Sequence, residues 1–147
     1  MVIKRTKKAV CFGTFDMIHD GHLNFFQQAK EKSGPGSRLV VVVARDINVE
    51  KAKGRKPAHN EEQRLKAVKS IAMVDEAVLG DYGDRLKIIE KLKPGMICLG
   101  YDQEAPGNLE ESLNKRGIKA EIVRLKPYME DKFKSSKIKQ RHKLYKS

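Results

Sequence analysis

The sequence predicts an α/β protein built on a five-stranded parallel sheet with helices on both faces. Apolar runs of strand length alternate along the chain with amphipathic stretches of helix length, the order expected of strand–helix–strand units. The run at 39–44, Leu-Val-Val-Val-Val-Ala, is typical of a parallel strand buried on both faces. The 147 residues contain no internal repeat, linker or low-complexity segment, so we expect one domain over 1–147.

The first predicted strand, turn and helix contain the most distinctive stretch of the chain. Residues 9–12 form a short apolar run, residues 13–22 are Gly-Thr-Phe-Asp-Met-Ile-His-Asp-Gly-His, and residues 23–30 continue as an amphipathic helix. His19 and His22 are three apart, so they lie on one face of the helix start. There they can donate hydrogen bonds to a polyphosphate, and a protonated imidazole would add positive charge.

Two other interpretations of these histidines stay open. Either one could be an ordinary surface or core side chain whose hydrogen bonds are satisfied. A zinc site is disfavoured, because the chain has four His and two Cys and neither Cys is spaced to join the pair. Cys11 and Cys98 fall in predicted strands, where we expect small core hydrophobes of a reducing compartment.

The rest of the chain continues the alternation. After the second strand, residues 45–59 are predicted to be a basic loop, and a loop of this length is often functional. Asn60 and Gln63 form a capping-box pair at the start of the next helix. The later predicted elements are a strand at 76–80, a helix capped by Asp84 and ending at Lys93, a strand at 96–99, a helix with Asn108 and Glu111 at its start and Gly117 at its end, a strand at 120–125, and a basic helix at 137–145 capped by Ser135 and Ser136.

Composition and charge exclude some classes of protein. Hydrophobic residues make up 39% and charged residues 34% of the chain, and no apolar run approaches the roughly 20 residues of a membrane helix. The basic N-terminus is not followed by the apolar core of a signal peptide, so we expect a cytoplasmic protein. The net charge of +12 suits a polyanionic partner, either nucleic acid or a phosphorylated small molecule.

Polar residues follow three of the predicted strands at their carboxyl ends. These residues are at 14–22 after the first strand, at 100–103 after the fourth and at 128–136 after the fifth. Because the carboxyl ends of parallel strands share one edge, we expect them to converge on a ligand site. No strand-to-helix turn matches G-x-G-x-x-G or G-x-x-x-x-G-K-[ST], which disfavours dinucleotide-binding proteins and P-loop kinases.

The stretch 13–22 resembles the nucleotidylyltransferase superfamily, whose H-x-G-H motif follows a G-T-F-D turn. Four further segments fall in the order seen in cytidylyltransferase-like proteins: Gly-Arg-Lys-Pro at 54–57, Glu-Glu-Gln-Arg at 61–64, Leu-Gly-Tyr-Asp-Gln at 99–103 and Ser-Ser-Lys-Ile at 135–138. Within that superfamily the combination is most similar to the archaeal-type FAD synthases. The resemblance implies a single-domain Rossmann-like nucleotidylyltransferase fold and a homodimer.

The same resemblance implies roles for individual residues. His19 and His22 are the implied catalytic residues. The implied ATP contacts are Thr14, Phe15, His19, Asp20, Gly21, His22, Asp102 and Tyr128. Lys53, Arg64, Ser135 and Ser136 are candidates to bind phosphate, although Arg64 could be a surface residue and the serines plain helix caps. Asp16 could orient a divalent metal, expected to be Mg²⁺, or could stabilise the turn.

The implied reaction is transfer of AMP from ATP to FMN with release of pyrophosphate. One alternative is a CTP-dependent enzyme of the glycerol-3-phosphate type, but the chain has no Trp and lacks the R-T-x-G-I-S-T-T motif usual in those enzymes. Another is an adenylyltransferase acting on a different phosphorylated small molecule. A nucleic-acid-binding module is disfavoured, because it would explain the charge and leave the strand-end motifs without a purpose.

Overall fold

Five parallel strands form one sheet in the computed structural model, which describes residues 7–83, 85–101, 103 and 109–127. The strands are β1 (Lys8–Gly13), β2 (Arg38–Val43), β3 (Glu76–Leu79), β4 (Met96–Leu99) and β5 (Glu121–Arg124). Their order across the sheet is β3-β2-β1-β4-β5, with every neighbouring pair parallel. The strand order therefore reverses between β1 and β4, the position at which ligands bind in open α/β sheets.

Five helices are described, and one of them corrects the sequence prediction. They are α1 (Asp20–Ser33), α2 (Asp46–Lys53), α3 (Glu61–Lys69), α4 (Arg85–Leu92) and α5 (Leu109–Lys115). Helix α2 lies inside the stretch 45–59 that was predicted to be a loop. It has one buried residue, Val49, so it lacks the apolar face on which periodicity depends.

The helices cover both faces of the sheet, as predicted. On one face, α1 and α3 pack Phe26, Val68 and their neighbours against strand residues such as Val41. On the other face, α4 and α5 pack residues such as Ile89 and Leu113 against the alternate strand positions. The doubly wound α/β fold is confirmed.

Local signals at several helix ends are also confirmed. Asn60 and Gln63 form the reciprocal capping box, with backbone-to-side-chain distances of 2.8 and 3.0 Å. Gly117 has a φ of 72°, the left-handed conformation expected after a helix. The predicted caps at Asp84 and Asn108 and the basic helix at 137–145 lie outside the described residues.

Cys11 and Cys98 lie directly opposite each other on β1 and β4. Both are free thiols buried in the sheet, and burial raises the pKa of Cys11 above its usual value. They therefore act as small core residues, as the sequence predicted. Among the described helices, none has the length and apolar character that crossing a membrane requires.

Candidate active site

A cleft of about 630 Å³ opens where the strand order reverses. Its walls come from the end of β1, the start of α1 and the loop after β4, and Lys53 and Lys126 lie at its margin. Of the predicted site residues within the described part, Thr14, Phe15, Asp16, His19, Gly21, His22 and Lys53 line this cleft. The turn after β1 and the loop after β4, with Gly100 and Gln103, are thus brought together by the topology, as the strand-end rule predicts.

The turn after β1 is shaped by the packing of Phe15. Its φ is 53°, which is uncommon for a residue with a side chain, and its ring is buried. A Cβ at Gly13 would lie 2.6 Å from Phe15 Cζ, so this position requires glycine. The Phe15 ring packs edge-on against the His22 ring at 5.3 Å and also contacts Phe26, so it supports His22 from the core side.

His19 and His22 form the capping box of α1 with each other. His19 is the N-cap and its Nδ1 accepts a hydrogen bond from the Gly21 N–H at 3.0 Å, while His22 Nδ1 accepts from the His19 N–H at 3.2 Å. An Nδ1 that accepts cannot carry a proton, so each neutral ring carries its proton on Nε2. The two rings are stacked with centroids 3.9 Å apart. The pair therefore presents two neighbouring Nε2–H donors.

The electrostatics correct the expectation that His22 contributes a positive charge. Burial and the neighbouring His19 lower the pKa of His22 to about 4. At neutral pH His22 is consequently an uncharged hydrogen-bond donor. Positive charge in this cleft is supplied by lysines, including Lys53 at the end of α2 and Lys126 after β5.

Asp16 holds a neighbouring segment instead of facing a metal. Its two carboxylate oxygens accept hydrogen bonds from the Ala58 and His59 N–H groups at 2.7 and 2.8 Å. Desolvation alone would raise the pKa of Asp16, but these bonds and His59 lower it below its usual value. Of the two roles open from the sequence, the geometry fits turn stabilisation. The described residues contain no group of three or more His, Cys, Asp or Glu side chains that could hold a metal ion.

Arg64 is oriented away from the phosphate role suggested for it. It is 1% exposed, the one buried charged side chain among the described residues. Its guanidinium donates to the backbone oxygens of Thr14, Ala44 and His59 at 2.8–3.0 Å and to the Asp46 carboxylate at 2.6 Å. Four of its five N–H donors are thereby used. Arg64 therefore ties the motif turn, residues 14–19 between β1 and α1, to α2 and α3 from inside the protein. The sequence had favoured a surface position or a phosphate contact for this side chain.

The basic segment after α2 lies next to the motif turn. Helix α2 ends at Lys53, and Gly54 follows in the left-handed conformation with a φ of 75°. Lys53, Arg55 and Lys56 line a second hollow of about 290 Å³ together with Thr14. Thr14 and Lys53 border both this hollow and the main cleft, so a phosphate chain could extend from one to the other.

Gln103 and Arg124 shape the loop after β4; the sequence placed Gln103 among the polar residues of this strand end without a role of its own, and Arg124 was missed. Gln103 Nε2 donates to the Phe12 backbone oxygen at 2.8 Å and its Oε1 accepts from the Gly100 N–H at 2.7 Å, which joins this loop to the end of β1. Arg124, at the end of β5, donates to the Gly100 and Gln103 backbone oxygens at 2.8 Å. Their position at strand ends was the available signal. Asp102, Tyr128, Ser135 and Ser136 lie outside the described residues, and their roles stay predictions.

Residues 10–141 match the family model described as cytidylyltransferase-like. This chain belongs to the cytidylyltransferase-like family. The recognition made from the H-x-G-H stretch and the four later segments is confirmed. The family match extends over residues 128–141, which include three of the predicted site residues beyond the described part, Tyr128, Ser135 and Ser136.

Three individual proteins are similar to this chain over most of its length. The FAD synthase of Methanothermus fervidus is 50% identical over 117 residues, which are 79% of this chain and 80% of that protein. The FAD synthase of Korarchaeum cryptofilum is 44% identical over 145 residues, covering 98% of this chain and 97% of its own. A crystal structure titled a lipopolysaccharide core biosynthesis protein, from Thermoplasma volcanium, is 36% identical with a TM-score of 0.78, over 85% of this chain and all of that one.

Proposed function

We propose that this protein is an FAD synthase, a nucleotidyltransferase that transfers AMP from ATP to FMN and releases pyrophosphate. The observation that carries the proposal is the pair His19 and His22, whose stacked rings leave two neighbouring Nε2–H donors at a helix N-terminus in the cleft between β1 and β4. Similarity to archaeal FAD synthases over 79% and 98% of this chain supports FMN as the acceptor and ATP as the donor.

The chemistry is an in-line displacement at phosphorus. An oxygen of the FMN phosphate forms a bond to the α-phosphorus of ATP. The bond from that phosphorus to the oxygen bridging the α- and β-phosphorus atoms breaks, and this oxygen leaves with the pyrophosphate. The attacking phosphate is already an anion at neutral pH, so the step needs no general base. Catalysis then depends on alignment of the two phosphates and on stabilising charge on the five-bonded α-phosphate.

The described residues divide this work between them. The Nε2–H donors of His19 and His22 stabilise the α-phosphate oxygens at the N-terminal, positive end of the α1 dipole. Because Nδ1 of each ring is held by a backbone N–H, the donors are oriented before the nucleotide arrives. Lys53, which borders the cleft and the hollow of Arg55 and Lys56, neutralises the departing pyrophosphate.

A divalent metal, expected to be Mg²⁺, does not fit a protein-held site among the described residues. The Asp16 carboxylate, the candidate ligand, is already bonded to two backbone N–H groups. We propose that the ion enters bound to the triphosphate, since Mg²⁺ binds phosphate oxygens with few protein ligands, and that it neutralises phosphate charge there.

We also propose that the protein is a homodimer, as the resemblance implies. Light scattering of the purified protein measures its mass in solution and checks this.

The test of the acceptor is a substrate panel. Purified protein with ATP and Mg²⁺ is given FMN, glycerol 3-phosphate or phosphopantetheine, and products are separated by chromatography. FAD formed from FMN, with no nucleotidyl product from the other two, supports the proposal. Preference for either of the other acceptors would place the protein elsewhere in the same family, and no product with any acceptor would oppose the enzyme assignment.

A further inference from the structure

A further cavity, of about 440 Å³ and distinct from the hollow of Arg55 and Lys56, lies beside the cleft on the α4–α5 face of the sheet. It shares Phe12, Gly13, Thr14, Lys53 and Gln103 with the cleft, so the two spaces meet at the end of β1. Its volume is within the range of small-molecule sites. None of the catalytic steps proposed for the cleft uses this cavity.

The walls of this cavity are mostly apolar. Side chains from β2, β4, α4 and α5 contribute Val42, Leu86, Ile89, Ile97, Leu99 and Leu109. Helix α2 closes one side with Val49 and Ala52. Such a lining suits a flat hydrophobic ring system. It offers few hydrogen-bonding partners to a sugar phosphate, which needs them on all sides.

One end of the cavity is polar and carries an unsatisfied group. Asp81, just after β3, lines it, and the Asp81 Oδ2 atom is buried with no hydrogen-bond partner among the described residues. The other oxygen, Oδ1, is 3.6 Å from Lys91 Nζ. Asn48 holds the backbone here by donating to the Asp81 carbonyl oxygen at 2.9 Å. A buried carboxylate oxygen without a donor is rare in folded proteins and indicates a missing N–H or O–H partner.

We propose that this cavity binds the isoalloxazine ring of FMN and that Asp81 accepts a hydrogen bond from the ring N3–H. This rests on the proposed function. The dimethylbenzene end of the ring packs against the apolar walls, and the pyrimidine end, which carries N3–H, reaches Asp81. The ribityl phosphate then leads past Thr14 and Lys53 into the cleft, where its oxygen attacks the α-phosphorus. Asp81 is thus a specificity residue for flavins among phosphorylated acceptors.

The first test couples a protein change to a ligand change. Affinities of FMN and of N3-methyl FMN are measured by flavin fluorescence, with α,β-methylene ATP present and absent, for the natural protein and for Asp81→Ala. N3-methylation should weaken binding about tenfold in the natural protein, the loss of one charge-assisted hydrogen bond, and hardly at all in the variant. Equal losses in both proteins would overturn the role of Asp81, because a merely structural aspartate would not distinguish the two ligands.

The second test fills the cavity. Ala52→Phe places a ring at the cavity wall from an exposed position of α2, and Glu50→Phe adds the same ring elsewhere on that helix as a control. Ala52→Phe should weaken FMN at least tenfold and leave ATP binding unchanged, and Glu50→Phe should change neither. Normal FMN affinity in Ala52→Phe would place the flavin elsewhere, while continued FAD formation would leave the proposed function standing. If the natural protein formed no FAD yet bound FMN with the Asp81 coupling, the cavity assignment would survive the loss of the proposed function.

Discussion

At the scale of single residues, His19 and His22 each serve the fold and the site with different ring atoms. The Nδ1 atoms satisfy backbone donors of α1, and the Nε2–H groups remain for a ligand. A change at either position therefore risks confusing a lost helix cap with a lost catalytic group. Asparagine at an N-cap and glutamine at the third helical position preserve the capping box, and this makes the two roles separable.

His19→Ala and His22→Ala should each lower turnover about 100-fold or more, the scale of losing one donor to a charged transition state. His19→Asn and His22→Gln should show a similar loss of turnover while keeping more of the free energy of unfolding, because the cap is retained. Steady-state FAD formation and urea unfolding measure the two effects. Near-normal turnover in all four variants would remove the catalytic assignment.

The low pKa of His22 makes a second residue-scale prediction. Its pKa is about 4 in the folded protein against a usual value of 6.5, so the unfolded chain binds more protons between these values. The resulting stability is fully present above pH 6.5 and is lost as pH falls towards 4. Urea unfolding at pH 7 and pH 5 should show a larger drop for the natural protein than for His22→Gln. Titration of the His22 ring near 6.5 by NMR would contradict the assignment.

At the scale of elements, the motif turn is fixed by contacts from α2, α3 and the segment between them. Arg64 donates to the Ala44 backbone oxygen before α2 and to the His59 backbone oxygen before α3. The Arg45 side chain and the Asp46 N–H both donate to the Glu61 carboxylate, at 2.7 and 2.9 Å. Helix α2 is held by these contacts, which come from residues distant in sequence. That is why its sequence, with little apolar periodicity, predicted a loop.

Arg64→Leu should destabilise the protein by about 3 kcal/mol or more, because it leaves three backbone oxygens and Asp46 without their donor. Lys66→Leu, an exposed change on the same helix, is the control and should have little effect. Denaturant unfolding compares the two. A normal free energy of unfolding in Arg64→Leu, with altered ATP affinity, would instead favour a phosphate role.

The segment at 54–59 is expected to cover the bound triphosphate. Trypsin cleavage after Lys53 and Arg55 should slow when ATP and Mg²⁺ are added. Asp16→Asn should speed cleavage without nucleotide, since an amide cannot accept both the Ala58 and His59 N–H bonds as the carboxylate does. Glu62→Gln, exposed on α3, is the control. A cleavage rate that is changed neither by nucleotide nor by Asp16→Asn would contradict a movable cover anchored by Asp16.

At the scale of the whole molecule, the alternation of strands and helices was predictable because each element carries its own pattern. Residues 96–99 were predicted and found as β4, and Gly117 stands where its helix needs a left-handed residue. The cleft was predictable from one topological rule, that parallel strand ends share an edge. The burial of Arg64 and the orphaned oxygen of Asp81 were not, because both depend on which distant chain segments surround them.

The net charge of +12 belongs to the same scale. A cleft bordered by Lys53 and Lys126 attracts polyphosphates of any base, so charge alone does not select ATP over CTP. Selection between the bases depends on the hydrogen bonds of the base pocket. The absence of Trp and of the R-T-x-G-I-S-T-T motif led us to expect ATP, with CTP poorer by about tenfold or more.

The central claim is that this cleft transfers AMP from ATP to FMN, and label tracing tests it most directly. The natural protein is incubated with FMN, Mg²⁺ and either ATP or CTP labelled at the α-phosphorus, and the labelled products are separated and counted. Label from ATP should enter FAD in a one-to-one ratio with the pyrophosphate released, at a rate at least about tenfold above that of any labelled product from CTP. Equal or faster labelling from CTP, or pyrophosphate released with no label in FAD, would contradict it.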